Sequence, residues 1–213
     1  MGYKIDTLDP TRTALLVIDM QHDFLAPGAP LETRAGREMI PTLNEMIRFS
    51  RERRIPVIFT AHVHREDGAD MGLYADLYPP IEARSALIDG TPGAEIYADV
   101  DKLPNERLIR KHRYSAFHAT DLDMVLRGMG VTHVVVTGVT TEDCVHATAR
   151  DAMFRNYRTA VVSDATGTYD HPDLGFGAMS AAQVHQATLV VLAQSTAAVI
   201  RSDEFYGLLS DGA

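Results

Sequence analysis

The chain has 213 residues, of which 46% are hydrophobic and 23% are charged, as is ordinary for a globular protein. Its formal net charge of −9, with no basic cluster to offset it, argues against a nucleic-acid partner. The only cysteine excludes an internal disulfide framework, and no apolar run reaches the roughly 20 residues of a membrane span. We therefore expect one domain, residues 1–213, located in the cytoplasm and without a membrane partner.

Short apolar runs that end at turn residues predict the strands, and runs with apolar residues at helical spacing predict the helices. The predicted strands are residues 13–18, 56–61, 108–110, 131–137, 159–163 and 197–200. The predicted helices are residues 36–53, 120–129, 145–155, 180–193 and a short one that opens at 202–204. Residues 20–30 are predicted to be a loop, and residues 62–104 an irregular excursion with short helices.

The alternation of strands and helices predicts an α/β fold with a doubly wound, mostly parallel, six-stranded sheet and helices on both faces. In such a sheet the binding crevice lies beyond the carboxyl ends of the strands. The residues that directly follow the strand ends are therefore the candidates for catalytic or binding residues.

Cys144 lies in a strand–turn–helix unit. We expect Gly138 to break the strand and Thr140 or Thr141 to cap the helix, which places the sulfur in the first helical turn. The helix dipole there favours a thiolate, and the N–H groups of Thr140 and Cys144 are candidates for an oxyanion hole. The alternative is that Cys144 is a small buried hydrophobe, as many free cysteines are.

Asp19 follows the first predicted strand, and Lys111 follows the third. Asp19 is a candidate for taking the thiol proton and delivering it to a departing nitrogen, while Lys111 is a candidate for holding both groups in place. Taken separately, Asp19 is more simply a turn cap and Lys111 a solvated loop residue. Together with Cys144 they predict a catalytic constellation at one edge of the sheet.

The motifs VIDMQ around Asp19, IRK at Lys111 and TGVTTEDCV around Cys144 resemble the three hallmark motifs of the isochorismatase-like cysteine hydrolases. The resemblance extends over about residues 13–200 and implies that fold. It also implies that Cys144 is the nucleophile, Asp19 the general base and acid, and Lys111 their electrostatic partner. Finally, it implies a cis peptide bond between Val139 and Thr140 that turns the Thr140 N–H toward the oxyanion.

Some nicotinamidases of this family bind a metal through an Asp-x-His pair and a further histidine. His62 and His64 form an alternating pair, but residues 34–41 contain no aspartate. We therefore expect no metal and no cofactor, with the histidines lining or flanking the pocket. A nicotinamidase-like amidase stays open as an alternative, as does a non-catalytic ligand-binding member of the fold.

The C-terminal third most resembles the biuret/triuret hydrolase and N-carbamoylsarcosine amidohydrolase branch, which implies a small ureido or carbamoyl substrate. Gln183, with Gln186 as the second choice, is the candidate contact to the substrate amide, although an exposed helix position is its simpler interpretation. An N-carbamoyl amino acid would instead require a cation, from Arg113 or Arg65. The candidate pocket walls are Phe24, Phe117, Tyr74 and Tyr78. The resemblance also implies a homo-oligomer, a dimer or a tetramer.

Overall fold

A computed structural model describes residues 3–209. Its strands are β1 Thr13–Ile18, β2 Val57–His62, β3 Arg107–Lys111, β4 His133–Val139, β5 Arg158–Gly167 and β6 Ala198–Ile200. Within the described residues they form one six-stranded, all-parallel sheet in the order β3-β2-β1-β4-β5-β6. The α/β fold predicted from the alternation of strands and helices is confirmed.

The connections between the strands contain the helices. These are α1 His22–Leu25, α2 Arg34–Glu38, α3 Ile40–Glu52, α4 Tyr74–Leu77, α5 Pro79–Glu82, α6 Leu122–Gly128, α7 His146–Phe154, α8 Ala181–Ser195 and α9 Ser202–Leu208. Single tight turns of helix occur at Pro10–Arg12 and Pro92–Ala94, and a π-helical turn at Thr141–Val145 leads into α7. Across residues 3–209, none of these helices has the length and apolar character needed to span a bilayer.

Helices cover both faces of the sheet, which explains the continuous apolar runs of its central strands. Side chains of α3 and α9 pack with Leu15 and Val17 on one face. Side chains of α6, α7 and α8 pack with Leu16 and Ile18 on the other. Every residue of β1 is buried.

The structure corrects two predicted elements before β2. Residues 20–30 are not all loop, because α1 occupies His22–Leu25. The helix predicted over residues 36–53 is divided into α2 and α3 at Met39. Pro41 explains the division, since it has no N–H to donate to the carbonyl four residues earlier and favours the first turn of a new helix.

Gly138 does not break the strand, as the sequence pattern suggested, but lies inside β4. Its φ is +105°, and the pairing of β4 with β5 shifts register between Val136 and Gly138. A Cβ atom at this position would lie 2.1 Å from the carbonyl oxygen of Ile18. Glycine is required because β1 and β4 approach closely where they lead into the candidate site.

Replacing Gly138 with alanine is expected to lower the free energy of unfolding by about 3 kcal/mol, through backbone strain and the clash with Ile18. Gly128→Ala is the matched control. Gly128 ends α6, and an added Cβ has no atom within 4 Å, so this change is expected to raise stability by about 0.5 kcal/mol. Urea denaturation measures both, and equal effects of the two substitutions would contradict this account.

Candidate active site

The three predicted residues converge where the order of the strands reverses. The chain proceeds outward from β1 to β2 and β3 and then returns to place β4 against the other side of β1. Such a switch point opens a crevice at the carboxyl ends of the two central strands. Asp19 follows β1, Cys144 follows β4, and Lys111 is the last residue of β3.

Lys111 connects the other two residues. Its side chain is fully buried, and its ammonium nitrogen Nζ lies 2.7 Å from Oδ2 of Asp19. Nζ also lies 3.3 Å from Sγ of Cys144 and donates a 3.0 Å hydrogen bond to the carbonyl oxygen of Arg113. One ammonium group therefore orients both the carboxylate and the sulfur.

Asp19 is held by a partner that the sequence analysis missed. The Thr60 hydroxyl donates a 2.6 Å hydrogen bond to Oδ1 of Asp19 and accepts one of 3.1 Å from the Asp19 N–H. Asp19 itself is fully buried and has a φ of +49°. The available signal was a hydroxyl residue among the apolar side chains at the centre of β2.

Cys144 lies in the π-helical turn and not in the first turn of α7. The Val145 N–H donates a 3.1 Å hydrogen bond to the Thr140 carbonyl oxygen, five residues earlier, which defines this turn. Neither threonine caps the helix through its side chain as expected: Thr140 makes no capping bond, and the Thr141 hydroxyl shares a 2.9 Å hydrogen bond with His185. The Val139–Thr140 peptide bond is cis.

The environment of Cys144 opposes the thiolate that was expected from the helix dipole. Burial raises the pKa of the thiol, the Lys111 ammonium lowers it, and the Asp19 carboxylate raises it again, so that the pKa lies well above its usual range. Burial lowers the pKa of Lys111, but Asp19 and Cys144 raise it by more. The resting site therefore holds a Lys111 ammonium and a protonated Cys144 thiol.

A pocket of about 300 Å³ opens onto the sulfur. Its lining includes Cys144, Thr140 and, of the two predicted phenylalanine walls, Phe24. Phe117 does not line it, because this ring packs into the buried core beside α6 and α7 and stacks on Tyr157 at 5.8 Å. The volume suits a small substrate.

Gln183 does not reach the pocket either. Its side chain accepts a 2.9 Å hydrogen bond from the Ser180 N–H, while its own N–H donates to the Ser180 hydroxyl. This capping box stabilises the start of α8 and holds Gln183 at the exposed surface. Gln186, the second choice, is also exposed on α8 and outside the lining.

Aromatic side chains from the irregular segment and from loops after the strands form much of the pocket wall. Tyr74 and Tyr78 were predicted from the sequence, whereas Tyr114 and Tyr169 were not. Tyr114 lies three residues beyond Lys111, and Tyr169 two residues beyond β5. Their positions after strand ends were the signal that would have placed them near the site.

His62 and His64 line the pocket. Burial, with Lys111 as the second cause, holds the pKa of His62 well below its usual range, so its ring is neutral. Among the described residues, one ligand atom each of Asp19, His62 and Cys144 lies within 4.8 Å of the others, a set that does not include His64. The set does not fit a metal, since the carboxylate and the sulfur both face the Lys111 ammonium.

This arrangement, a buried Asp–Lys–Cys cluster under a pocket at the switch point of a parallel sheet, defines a class of hydrolase. An isochorismatase domain model matches residues 13–204, and the chain therefore belongs to the isochorismatase family. It is an isochorismatase-family hydrolase.

Known proteins of similar sequence include two from Arabidopsis thaliana. A probable inactive nicotinamidase is 37% identical over 72% of this chain and 80% of its own length. Nicotinamidase 3 is 30% identical over 95% of this chain and 92% of its own length. A crystal structure of a cysteine hydrolase from Pseudomonas syringae pv. phaseolicola superposes with a TM-score of 0.92 at 32% identity, over 98% of this chain and 96% of that one.

Because its pKa is raised, Cys144 is expected to be protonated in the free protein at neutral pH. The ultraviolet thiolate absorbance of the wild-type protein should then equal that of the Cys144→Ser variant, and a difference between the two should appear only as the pH is raised well above 9. A thiolate signal at neutral pH would contradict the account of a protonated resting thiol.

Proposed function

We propose that this protein is a cysteine-dependent amidohydrolase that cleaves a C–N bond of a small linear amide through a covalent acyl-enzyme. The observation that carries the proposal is the contact of one buried ammonium with both Asp19 and Cys144, at 2.7 Å and 3.3 Å, beneath an open pocket. A nucleophile, a base and a group that fixes their geometry are the parts that such a reaction needs.

The first half of the reaction forms a thioester. Asp19 takes the proton of Cys144, whose sulfur attacks the amide carbonyl carbon, and Lys111 stabilises the negative charge that passes from one group to the other. The N–H groups of Thr140 and Cys144 are the proposed donors to the oxyanion. The C–N bond then breaks, and Asp19 returns the proton to the departing nitrogen.

The second half consumes water. Asp19, again a carboxylate, takes a proton from a water molecule whose oxygen attacks the thioester carbon. The C–S bond breaks, the sulfur recovers a proton from Asp19, and the acid product leaves. No other proton carrier is required, because one carboxylate alternates between base and acid.

We propose ureido and carbamoyl compounds, biuret and triuret among them, as the favoured substrates. N-carbamoyl amino acids receive less support, because neither Arg113 nor Arg65 lines the pocket. The Arg113 guanidinium donates instead to the Asp70 carbonyl oxygen at 2.9 Å, and Arg65 is exposed. A substrate carboxylate would therefore enter without a cationic partner.

A nicotinamidase-like amidase is the alternative that the named relatives favour, and the aromatic wall is compatible with a ring-bearing amide. A non-catalytic ligand-binding member of the fold is the alternative from another class, since one relative is a probable inactive nicotinamidase. A panel of biuret, triuret, N-carbamoyl amino acids, ureidoacrylate and nicotinamide, assayed for ammonia release, distinguishes all of these.

Cys144→Ala and Asp19→Asn are each expected to lower kcat on the best substrate of that panel by at least about 10³-fold, because each removes a group that acts as part of one unit. Asp89→Asn is the matched control. Its carboxylate is half exposed and pairs with Arg110 at 2.9 Å on the surface, so turnover should stay near that of the wild type.

Circular dichroism and thermal unfolding of the same preparations separate loss of chemistry from loss of fold. A folded Cys144→Ala protein that keeps near-wild-type turnover would refute the nucleophile. If no amide of the panel is cleaved by a folded wild-type protein, the non-catalytic alternative gains support.

We also propose that the chain forms a homo-oligomer through α8, whose 15 residues include no Asp, Glu, Lys or Arg and leave Val190 and Val191 exposed. A second copy is the fitting partner, because two chains that each carry a net charge of −9 approach with least repulsion at an uncharged face.

Light scattering is expected to give at least twice the monomer mass for the wild type and a smaller mass for Val190→Asp. Met124→Asp, at an exposed position on α6, is the control that should leave the mass unchanged. A monomeric wild-type protein would contradict the proposed assembly.

A further inference from the structure

The groups of the pocket wall that carry a charge near neutral pH are carboxylates. Glu32 and Asp143 contribute carboxyl groups, while none of the described residues that line the pocket is a lysine or an arginine. The Glu32 carboxylate is already paired with the Arg37 guanidinium at 2.7 Å. Asp143 accepts only a 3.3 Å hydrogen bond from the Tyr78 hydroxyl among the side-chain contacts of the described chain. Its charge is therefore available to a ligand.

Four tyrosines line the same pocket as this carboxyl group. The Tyr74 and Tyr78 rings stack with centroids 6.3 Å apart, and Tyr114 meets Tyr74 edge to face at 4.9 Å. Burial is the first cause that raises the pKa of each of the three, to about 12 for Tyr74, so all are neutral phenols at physiological pH. The faces of such rings attract cations.

The remaining polar side chains that line the pocket do not supply a competing positive charge. Outside the lining, the Arg113 guanidinium lies 5.6 Å from the centroid of the Tyr74 ring and already occupies one of its faces. His62 and His64 are neutral, since burial lowers the pKa of both. Lys111 is charged, but Asp19 compensates its ammonium at 2.7 Å. Besides its apolar side chains, the pocket wall thus presents tyrosine rings, neutral imidazoles and one carboxylate, Asp143, that forms no ion pair within residues 3–209.

We propose that the preferred substrate is a small amide or ureido compound whose far end carries a cationic nitrogen group, held by Asp143 and the tyrosine faces. This inference rests on the amidohydrolase function proposed above and assigns its substrate class. Asp143 directly precedes Cys144, so a cation bound to it lies within a short molecule's length of the carbonyl that the sulfur attacks. A carboxylate at the same end would be repelled.

Guanylurea and biuret provide a matched pair of probes, because they have nearly the same shape and differ by an amidinium group in place of one carbonyl. Calorimetry with the Cys144→Ala protein measures binding without turnover. Guanylurea is expected to bind at least about tenfold more tightly than biuret, and N-carbamoylglycine, an anion, more weakly than either.

Adding Asp143→Asn to Cys144→Ala should remove most of the preference for guanylurea, because asparagine keeps the shape and the bond to Tyr78 but not the charge. Glu32→Gln is the matched control. It should preserve most of the preference, since Arg37 already neutralises that carboxylate. Thermal unfolding verifies that each variant is folded.

The pH dependence provides a second readout. Burial, followed by the neighbouring Glu142 carboxylate, raises the pKa of Asp143 to about 6. Asp143 is ionised above that pH and becomes neutral as the pH falls below it, so the preference for guanylurea, which stays cationic in acid, should decline below about pH 6. The titratable groups that face Asp143 are Glu142, Tyr78, Tyr114, Cys144, Tyr169, His171 and Lys111, of which Cys144 is absent from the Cys144→Ala protein used for binding.

Equal binding of guanylurea and biuret, or a preference that Asp143→Asn leaves intact, would overturn the inference. Neither result affects the amidohydrolase proposal, which turnover of the wild-type protein tests by itself. Conversely, a wild-type protein that binds guanylurea through Asp143 but cleaves no amide would retain the cation site and refute the proposed reaction.

Discussion

The ion pair between Lys111 and Asp19 is the contact on which the rest of the site depends. Both side chains are fully buried, and an unpaired charge in such a place would cost several kcal/mol. Each charge therefore requires the other, and the remaining donors of the ammonium extend to Cys144 and to the backbone at Arg113. The cluster is held in one geometry before any substrate arrives.

The sheet creates this contact. Lys111 ends β3, pairs in register with His62 of β2 and extends past that strand to Asp19 at the end of β1. β4 delivers Cys144 from the other side of β1, and Gly138 allows the two strands to approach closely. Three residues that are far apart in the chain meet because parallel strands end at one edge.

Burial and the raised pKa of Cys144 imply that the proposed nucleophile is unreactive in the free protein. A thiol with a raised pKa is protected from adventitious reaction, and in the proposed reaction it becomes nucleophilic when Asp19 accepts its proton. Specificity arises elsewhere, in a wall built mainly from the irregular segment between β2 and β3 and from residues just beyond strand ends. In the proposed function, the groups that cleave the amide are therefore distinct from most of the groups that select it.

The sequence was sufficient for the parts of the structure that follow from periodicity and strand order. It predicted all six strands and placed Asp19, Lys111 and Cys144 at strand ends. It did not predict Gly138 inside β4, because a close contact between strands leaves no periodic signal. Gln183 was misassigned because a local capping bond competes with any long-range contact.

The pocket wall was only partly predictable for a related reason. Residues 62–104 follow neither a helical nor a strand period, so their tertiary positions are not encoded by spacing. The thiol pKa also required the structure, since burial outweighs the ammonium and the helical turn that the sequence revealed.

The most direct test of the central claim is the mass of the Cys144-containing peptide from protein quenched in acid during turnover. The expected result is an added mass equal to the acyl part of the substrate, located on Cys144 and absent before substrate is mixed. Sustained turnover in which Cys144 remains a free thiol at every quench time would contradict it.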